Sequence, residues 1–495
     1  MMKRVFFSAA ILTAGLFALS IALPTVATVW MAVLFGGITA VLLLFNRKRG
    51  GWYSVCACFC LVMFGLLMML GFRLDVGRME STYVGTAQTV TATVTNEGKA
   101  IGNTSVLYEV RLDDRVAGHP AKVGLFVRDE RPFSPGDRIT VLVKFAEPDE
   151  RYRIGNWAKG VYLTGSAERV EKRNDSDFSL DRGIYRIKKG IQSEIAENLP
   201  DEAGGLLLGF LTGDKSEMSE ETKDGFMKCG LSHTVAVSGM HLSVIAATLS
   251  LLFSLFGLSK RAGHLAVFPF VLGYAAVSGF SESSVRALVM IGLIFAADFT
   301  HRRVDRLNIL GMTVYGMLIL NPGRIGSGSF LLSASSLCGI LVFCPLFETA
   351  LQRMKHRRLA KGLGLVLAPG VTSLAATVGT LPLVLMNYGG FSMISPLTNT
   401  LICPLVTVAI SGGMLAVGLG WILPLPFVFQ PLEWILNLIR FLAVEMGNIP
   451  YGYLTVSEIG FYIGLALWAA VWLIILFPPS GKKGRFHHDR NRITP

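Results

Sequence analysis

The sequence predicts a polytopic α-helical membrane protein with one inserted β-rich domain, and three observations predict it. Of its 495 residues, 52 % are hydrophobic and only 16 % are charged, which places most of the length in lipid. Apolar runs of about 20 residues, enough to cross a hydrocarbon core, recur along the chain. Between residue 73 and about 170 they give way to short stretches that alternate apolar and polar with period two, as half-buried strands do.

The first three apolar runs cover 5–23, 26–45 and 53–72. Lys3-Arg4 and a missing small-residue cleavage site make the first an uncleaved anchor. Later runs cover 231–257, 263–280, 283–299, 307–320, 330–350, 362–388, 395–420, 430–447 and 458–477, about twelve spans in all. The formal charge of +12 invites a nucleic-acid reading, but the basic clusters sit at the ends of apolar runs. They fall at Arg47-Lys48-Arg49, Lys260-Arg261, Arg302-Arg303 with Arg306, Arg353 to Lys361, and Lys482 to Arg492. Placing 73–203 outside puts every cluster inside, so the charge reads as the orientation signal of cytoplasmic loops. Both termini are then cytoplasmic, in a cytoplasmic membrane. The seven cysteines lie in or beside apolar runs, and the outward segment has none, so no disulfide framework or metal site is expected.

Five strands are expected at Thr89–Val94, Val106–Leu112, Val123–Val127, Arg138–Phe145 and Tyr162–Ala167. The turn Ser134-Pro135-Gly136-Asp137 feeds the fourth. Five short strands suit a small closed barrel of OB type. Near its last loop, Lys144, Arg151, Tyr152, Arg153 and Trp157 combine basic and aromatic side chains, the combination that holds single strands by stacking and backbone attraction. An ordinary barrel surface around a core tryptophan is the alternative. Ile184, Ile187, Ile191 and Ile195 at helical spacing make 178–203 an amphipathic helix that lies on the membrane or docks the barrel. The expected division is 1–72 (three spans), 73–177 (β domain), 178–203 (linker helix), 204–480 (multi-span domain) and 481–495 (basic tail).

Several apolar runs are broken, at Val237-Ser238-Gly239, Ser278-Gly279, Gly379 to Pro382, Gly389-Gly390 and Ser395-Pro396. Irregular backbone at membrane depth persists only when buried in protein or lining a wet cavity, so a solvated passage is expected. His233 and His241 flank the first break, and polar side chains inside a span are functional candidates. Eight helical residues would rotate one histidine about 80° from the other; an interruption at Gly239 would let both face one cavity. Packing hydrogen bonds are the alternative. Arg286 is expected either to hold a passing phosphate or to pair with Glu282 or Asp298. Asn399 is expected to cap a broken helix or line the passage.

Leu207 to Lys215, followed by Gly230-Leu231-Ser232-His233-Thr234-Val235-Ala236-Val237-Ser238-Gly239-Met240-His241, closely resembles the ComEC competence proteins, whose pattern is an L-L-G-D-type turn and then G-L-x-H-x-x-A-V-S-G-x-H. Three later segments agree in order. Ser284 to Met290 with Arg303 to Leu310 is similar to R-A-x-x-M and R-x-x-D-x-L-N. Asn321-Pro322 with Ser329 to Ser333 is similar to P-x(n)-G-F-Q-L-S, with Ser329 and Leu331 in place of Gly and Gln. Thr380 to Leu383 with Phe391-Ser392 and Ser395 to Asn399 resembles the last segment. The resemblance spans about 204–405 and implies a channel that admits one DNA strand during natural transformation, Asp214 and Ser333 joining the candidates. It also implies an outer DNA receptor and a cytoplasmic motor ATPase as partners. A hydrated strand needs about 10 Å, more than one bundle at ordinary helix spacing leaves open, so a closed resting state or a homodimer is expected.

No catalytic residue or cofactor is expected. Gly209-x-x-x-Gly213-Asp214-Lys215-Ser216 is one residue too short for a P-loop and carries Asp before Lys. No H-x-H-x-D-H marks the metallo-β-lactamase-like domain into which many of these proteins continue, so nuclease activity is expected from another protein. Competing readings are a secondary transporter or lipid-handling protein with broken helices, which internal inverted repeats would favour, and an intramembrane hydrolase using Ser238, for which no orienting carboxylate is visible.

Overall fold

The computed structural model describes residues 5–22, 28, 29, 31, 52–101, 105–116, 119–128, 133–174, 179–352, 357–423, 426–457, 462 and 466. The expected spans 26–45 and 458–477 lie almost wholly outside the described residues, as does the basic tail.

The chain opens with helices α1 (Val5–Ala22) and α2 (Trp52–Tyr83). The β domain was expected from residue 73, but α2 runs ten residues further because Phe72, Val76 and Met79 extend its apolar face. That face is buried against the sheet. Six strands follow: β1 (Ala87–Val94), β2 (Lys99–Ile101), β3 (Ser105–Val116), β4 (His119–Val127), β5 (Arg138–Ala146) and β6 (Val161–Asn174). Each of the five expected strands is present, with longer ends. Their order is β1-β5-β6-β4-β3-β2, and β1 pairs again with β3, so five strands close on themselves. Only β4 and β6 run parallel. Closure removes the exposed edges that an open sheet would offer for aggregation. Val110, Leu125, Ile139, Val141 and Leu163 fill the interior.

Between β5 and β6, where a loop was expected, lies helix α3 (Glu150–Ala158). Its Trp157 and Ala158 are buried. Asn321 donates its side-chain amide to the Trp157 and Ala158 carbonyls at 3.2 and 3.0 Å. The sheet is thus fastened to the membrane part through α3.

A second fastening is α4 (Leu180–Asn198), the expected amphipathic helix. Ser179 caps it by accepting the Arg182 amide at 3.1 Å, which removes one orphan donor of the first turn. Arg182 pairs with the fully buried Asp137 of the Ser134–Asp137 turn. Pro200 ends this helical unit, and α5 (Asp201–Thr212) and α6 (Glu220–Lys228) follow. Every residue of α5 from Ala203 to Thr212 is buried; a helix apolar on all sides belongs inside a protein.

The remaining helices are α7 (Ser232–Val235), α8 (Gly239–Leu255), α9 (Lys260–Val277), α10 (Glu282–Phe299), α11 (Arg306–Leu320), α12 (Gly328–Gln352), α13 (Arg357–Tyr388), α14 (Ser395–Gly420) and α15 (Phe429–Gly447). Short strands β7 (Gly390–Ser392) and β8 (Tyr453–Thr455) pair antiparallel. Five helical segments are long and apolar enough to cross a bilayer: Cys56–Tyr83, Gly328–Phe347, Leu367–Tyr388, Ser395–Gly420 and Pro426–Gly447. Val5–Ile21, Gly239–Leu255 and Arg306–Leu320 are shorter apolar helices. The chain is a membrane protein by these helices. Two cores organise it. One gathers α4 to α6 with α8, α9, α10, α14 and α15; the other joins the sheet to α1, α2, α11 and α12.

Candidate functional site

The expected span 231–257 is two helices, α7 and α8, separated by the extended residues Ala236 to Ser238. Ser238 caps α8: its amide donates to His241 Nδ1 at 3.1 Å, and its hydroxyl lies 3.0 Å from the same atom. An amide can only donate, so Nδ1 is the acceptor and Nε2 carries the proton. His241 has no exposed surface, and the Ser238 contact is a helix cap. No carboxylate forms an ion pair with His241 among the described residues.

His233 stands apart from its partner. It is exposed. Its Nδ1–H donates to the Gly230 carbonyl at 3.1 Å. Across the break at Ser238-Gly239 one ring is buried in the cap and the other is exposed.

The second break, at Gly279-Phe280, holds both residues in the left-handed region with φ of 74° and 49°, a conformation that a phenylalanine adopts only under constraint. It is tied to the first. Ser281 donates its hydroxyl to the Val237 carbonyl at 3.2 Å, and Ser283 Oγ accepts the Gly239 amide at 3.1 Å. Ser283 and Ser333 hydroxyls are 2.9 Å apart, which brings α12 into the same junction. Residue 239 lies close to the Arg286 side chain: an added Cβ would sit 2.9 Å from Nη2, so the guanidinium would have to shift.

Arg286 is the unexpected element. It is 7 % exposed, and neither of the pairings expected for it is made. Asp298 bonds Lys260 at 2.8 Å with His264 at 3.7 Å, while both carboxylate oxygens of Glu282 are buried with no hydrogen-bond partner among the described residues. Buried Nε and Nη1 of Arg286 have no hydrogen-bond partner among the described residues. An unpaired buried ion costs several kcal/mol, of the order of 3–5 when a partner is removed.

Asn399 is 5 % exposed and neither caps a helix nor lines an open passage. Its amide donates to Ser373 Oγ, the Ser395 carbonyl and Ser395 Oγ at 2.8–2.9 Å. That bonding ties α14 to α13. Thr398 in turn donates to the Cys229 carbonyl at 2.8 Å, and Gly230 abuts Ser395 closely enough that a Cβ would meet its side chain at 2.9 Å. The 389–395 break therefore packs on the one at 229–238. A cavity of about 250 Å³ opens below, between α8 and α10, lined by Ser243, Ala246, Ala247, Ser250, Ile291, Ile294 and Phe295.

Asp214 lies outside this junction. Gly213, at φ 79°, ends α5 and packs on Val237. Asp214 itself pairs with Lys188 of α4 at 3.4 Å, and Lys188 and Lys189 reach Glu97 of the β domain at 3.4 and 3.1 Å. Burial opposes its charge, but the Ser216 hydroxyl and amide together with Lys188 hold the carboxyl below its ordinary range. In the β domain, Lys144 and Tyr152 are exposed, and Arg153 reaches Glu147 at 3.9 Å while lying 5.4 Å over the Trp157 ring. Trp157 is corrected: it is 9 % exposed and packs edge-on against Phe72 of α2, so no base can stack on it. The Arg151 side chain lies outside the described residues. Sequence reasoning missed Ser281, Ser283 and Ser373, although a serine run at the head of an apolar segment was there to be seen.

A family model described as "Competence protein" matches residues 210–480. The chain is 25 % identical over 233 residues to ComE operon protein 3 of Bacillus subtilis (47 % of this chain, 28 % of that one). To Recombination protein 2 of Haemophilus influenzae it is 23 % identical over 258 residues (50 % and 32 %), and to Competence protein ComA of Neisseria gonorrhoeae 24 % over 266 residues (52 % and 36 %). The chain thus spans about a third of the length of these relatives. No solved structure matches it.

Proposed function

From the premise that this chain belongs to the Competence protein family, we propose that it passes one strand of DNA across the cytoplasmic membrane during natural transformation. The observation that carries this reading is the polar junction, where the breaks at 229–239, 278–283 and 389–395 meet and the family-like motif residues His233, Ser238, Gly239, His241, Arg286, Ser333 and Asn399 gather. Interrupted helices surrounding donors at membrane depth suit a passage for an anionic polymer.

In this reading the described helices belong to a set of about twelve spans with both termini cytoplasmic. The closed sheet is an outward-facing domain; its strand order and its single parallel pairing support an OB-type barrel, although α3 separates its last two strands. Lys144, Tyr152 and Arg153 on one side of that domain receive the strand through backbone attraction and a single exposed ring, delivered by an outer receptor. A cytoplasmic motor ATPase draws it inward. The packed junction is the closed resting state, and opening or pairing of two copies supplies the width.

Import of labelled DNA into the cytoplasm of the native host tests the proposal. A clean deletion is expected to abolish import, wild type to restore it, and His241→Ala with Arg286→Ala, present at normal levels, to leave it abolished. Undiminished import in the deletion strain would overturn the reading.

A further inference from the structure

We infer that the Gly239–Arg286 contact is a binding site for one phosphate-type oxyanion, formed by the N-terminal turn of α8, the Arg286 guanidinium and the Ser283 and Ser333 hydroxyls. The inference deepens the proposed function, because a DNA strand is one source of such a group, but the site stands on its own geometry. Helix α8 is 17 residues long, and its N-terminus carries the partial positive charge of the helix dipole. Arg286 is aimed at that terminus: its Nη2 is the atom that an added side chain at Gly239 would strike. Two positive features placed together repel each other, and an anion bound beside both relieves that repulsion.

The second observation is the unmet valence. Nε and Nη1 of Arg286 are buried and bond nothing among the described residues. Of the nearby carboxylates, Asp298 bonds Lys260, and both oxygens of Glu282 are buried with no hydrogen-bond partner among the described residues, so neither pairs with Arg286. A planar guanidinium with free donors in a fixed fork matches the paired oxygens of a phosphate. Ser283 and Ser333, 2.9 Å apart, add hydroxyls that donate to oxygen as readily as they accept. Arg286, Ser283 and Ser333 can all donate, and among the described residues no carboxylate forms an ion pair with Arg286.

The oxyanion can come from a phosphodiester of the strand, from free phosphate or from a lipid headgroup, and binding measurements separate these. The full chain is purified in a maltoside detergent, which contains no phosphate, and inorganic phosphate is titrated by equilibrium dialysis. One saturable site is expected in wild type. Arg286→Gln should weaken it by about tenfold or more, the loss of charge-assisted bonds, with Arg286→Lys in between. Elution of Arg286→Gln as a monodisperse peak confirms its fold; Ser283→Ala, which keeps the arginine, is a second variant expected to weaken binding several-fold.

Competition then identifies the source. Displacement of phosphate by the dinucleotide d(TpT) assigns the site to the strand, and displacement by short-chain phosphatidylglycerol alone assigns it to lipid. No saturable binding to wild type, or equal binding to folded Arg286→Gln, would overturn the site. Because the titration needs no DNA import, the site can hold while the channel reading fails, or fail while deletion still abolishes import.

Discussion

Two arginines in this molecule, one half-buried and one buried, are treated in opposite ways. Arg182, where α4 meets the sheet, is paired with Asp137, whose carboxylate also accepts the Ser134 amide at 2.9 Å. Arg286, in the polar junction, has neither a carboxylate nor a carbonyl on its Nε or Nη1. The first is a structural charge whose needs the fold meets. The second is held ready for something the fold does not supply, and that difference separates a fastening from a site.

Stability measurements on the full chain can break or sharpen this contrast. Asp137→Ala leaves the half-buried Arg182 without its partner and the Ser134 amide without its acceptor, and should cost about 1–3 kcal/mol, seen as a drop in thermal midpoint. A small change would mean that the sheet is not fastened there. Arg286→Met should act with the opposite sign. It removes an uncompensated ion and keeps the length of the side chain, so stability without ligand should rise by about 1 kcal/mol or more, while phosphate no longer protects. A destabilised Arg286→Met would make that arginine structural, like Arg182.

Asn399→Ala breaks the α13–α14 tie and leaves Ser373 and Ser395 short of a donor, at a cost of about 1–3 kcal/mol. Its effect on import should follow its effect on protein level, as expected of a brace and not of a strand contact. The smallest effect belongs to the Lys188–Asp214–Glu97 ion network, partly exposed and worth at most about 1 kcal/mol. In Glu97, as in Asp214, burial opposes the charge, but Lys189 and Lys188 outweigh it and hold the carboxyl below its ordinary range. Stabilisation from such groups is complete above the ordinary carboxylate range and is lost as pH falls through the depressed value. Lys188→Ala should therefore lower stability at neutral pH by at most about 1 kcal/mol, leave strongly acidic pH unchanged, and so flatten the acid limb of a stability–pH profile.

The same contrast explains what was legible in the sequence. Strands showed themselves because period-two alternation is set by local burial, and all five fell where alternation placed them. Helix α3 was hidden because its pattern is only nine residues long and its reason for being helical, Trp157 against Phe72 and the Asn321 amide, lies far away in the chain. The ends of the domain misled for a similar reason: α2 continues past the lipid-like run on a face that only the sheet makes apolar. At the junction, the histidines, Gly239 and Arg286 could be picked out as polar groups in apolar runs. Which of them is satisfied could not, since Asp298 and Glu282 looked equally available, yet Asp298 bonds Lys260 and Glu282 makes no pair with Arg286.

The central claim is that a strand passes the junction, and a photo-crosslink tests it most directly. A benzophenone amino acid replaces Met240, beside Gly239, or Phe270, whose side chain is exposed on α9, and uptake is stalled with DNA blocked at its trailing end by a bulky protein. The account predicts crosslinks to DNA from position 240 and none from 270. Equal labelling at both positions, or none at 240 while import proceeds, would contradict it.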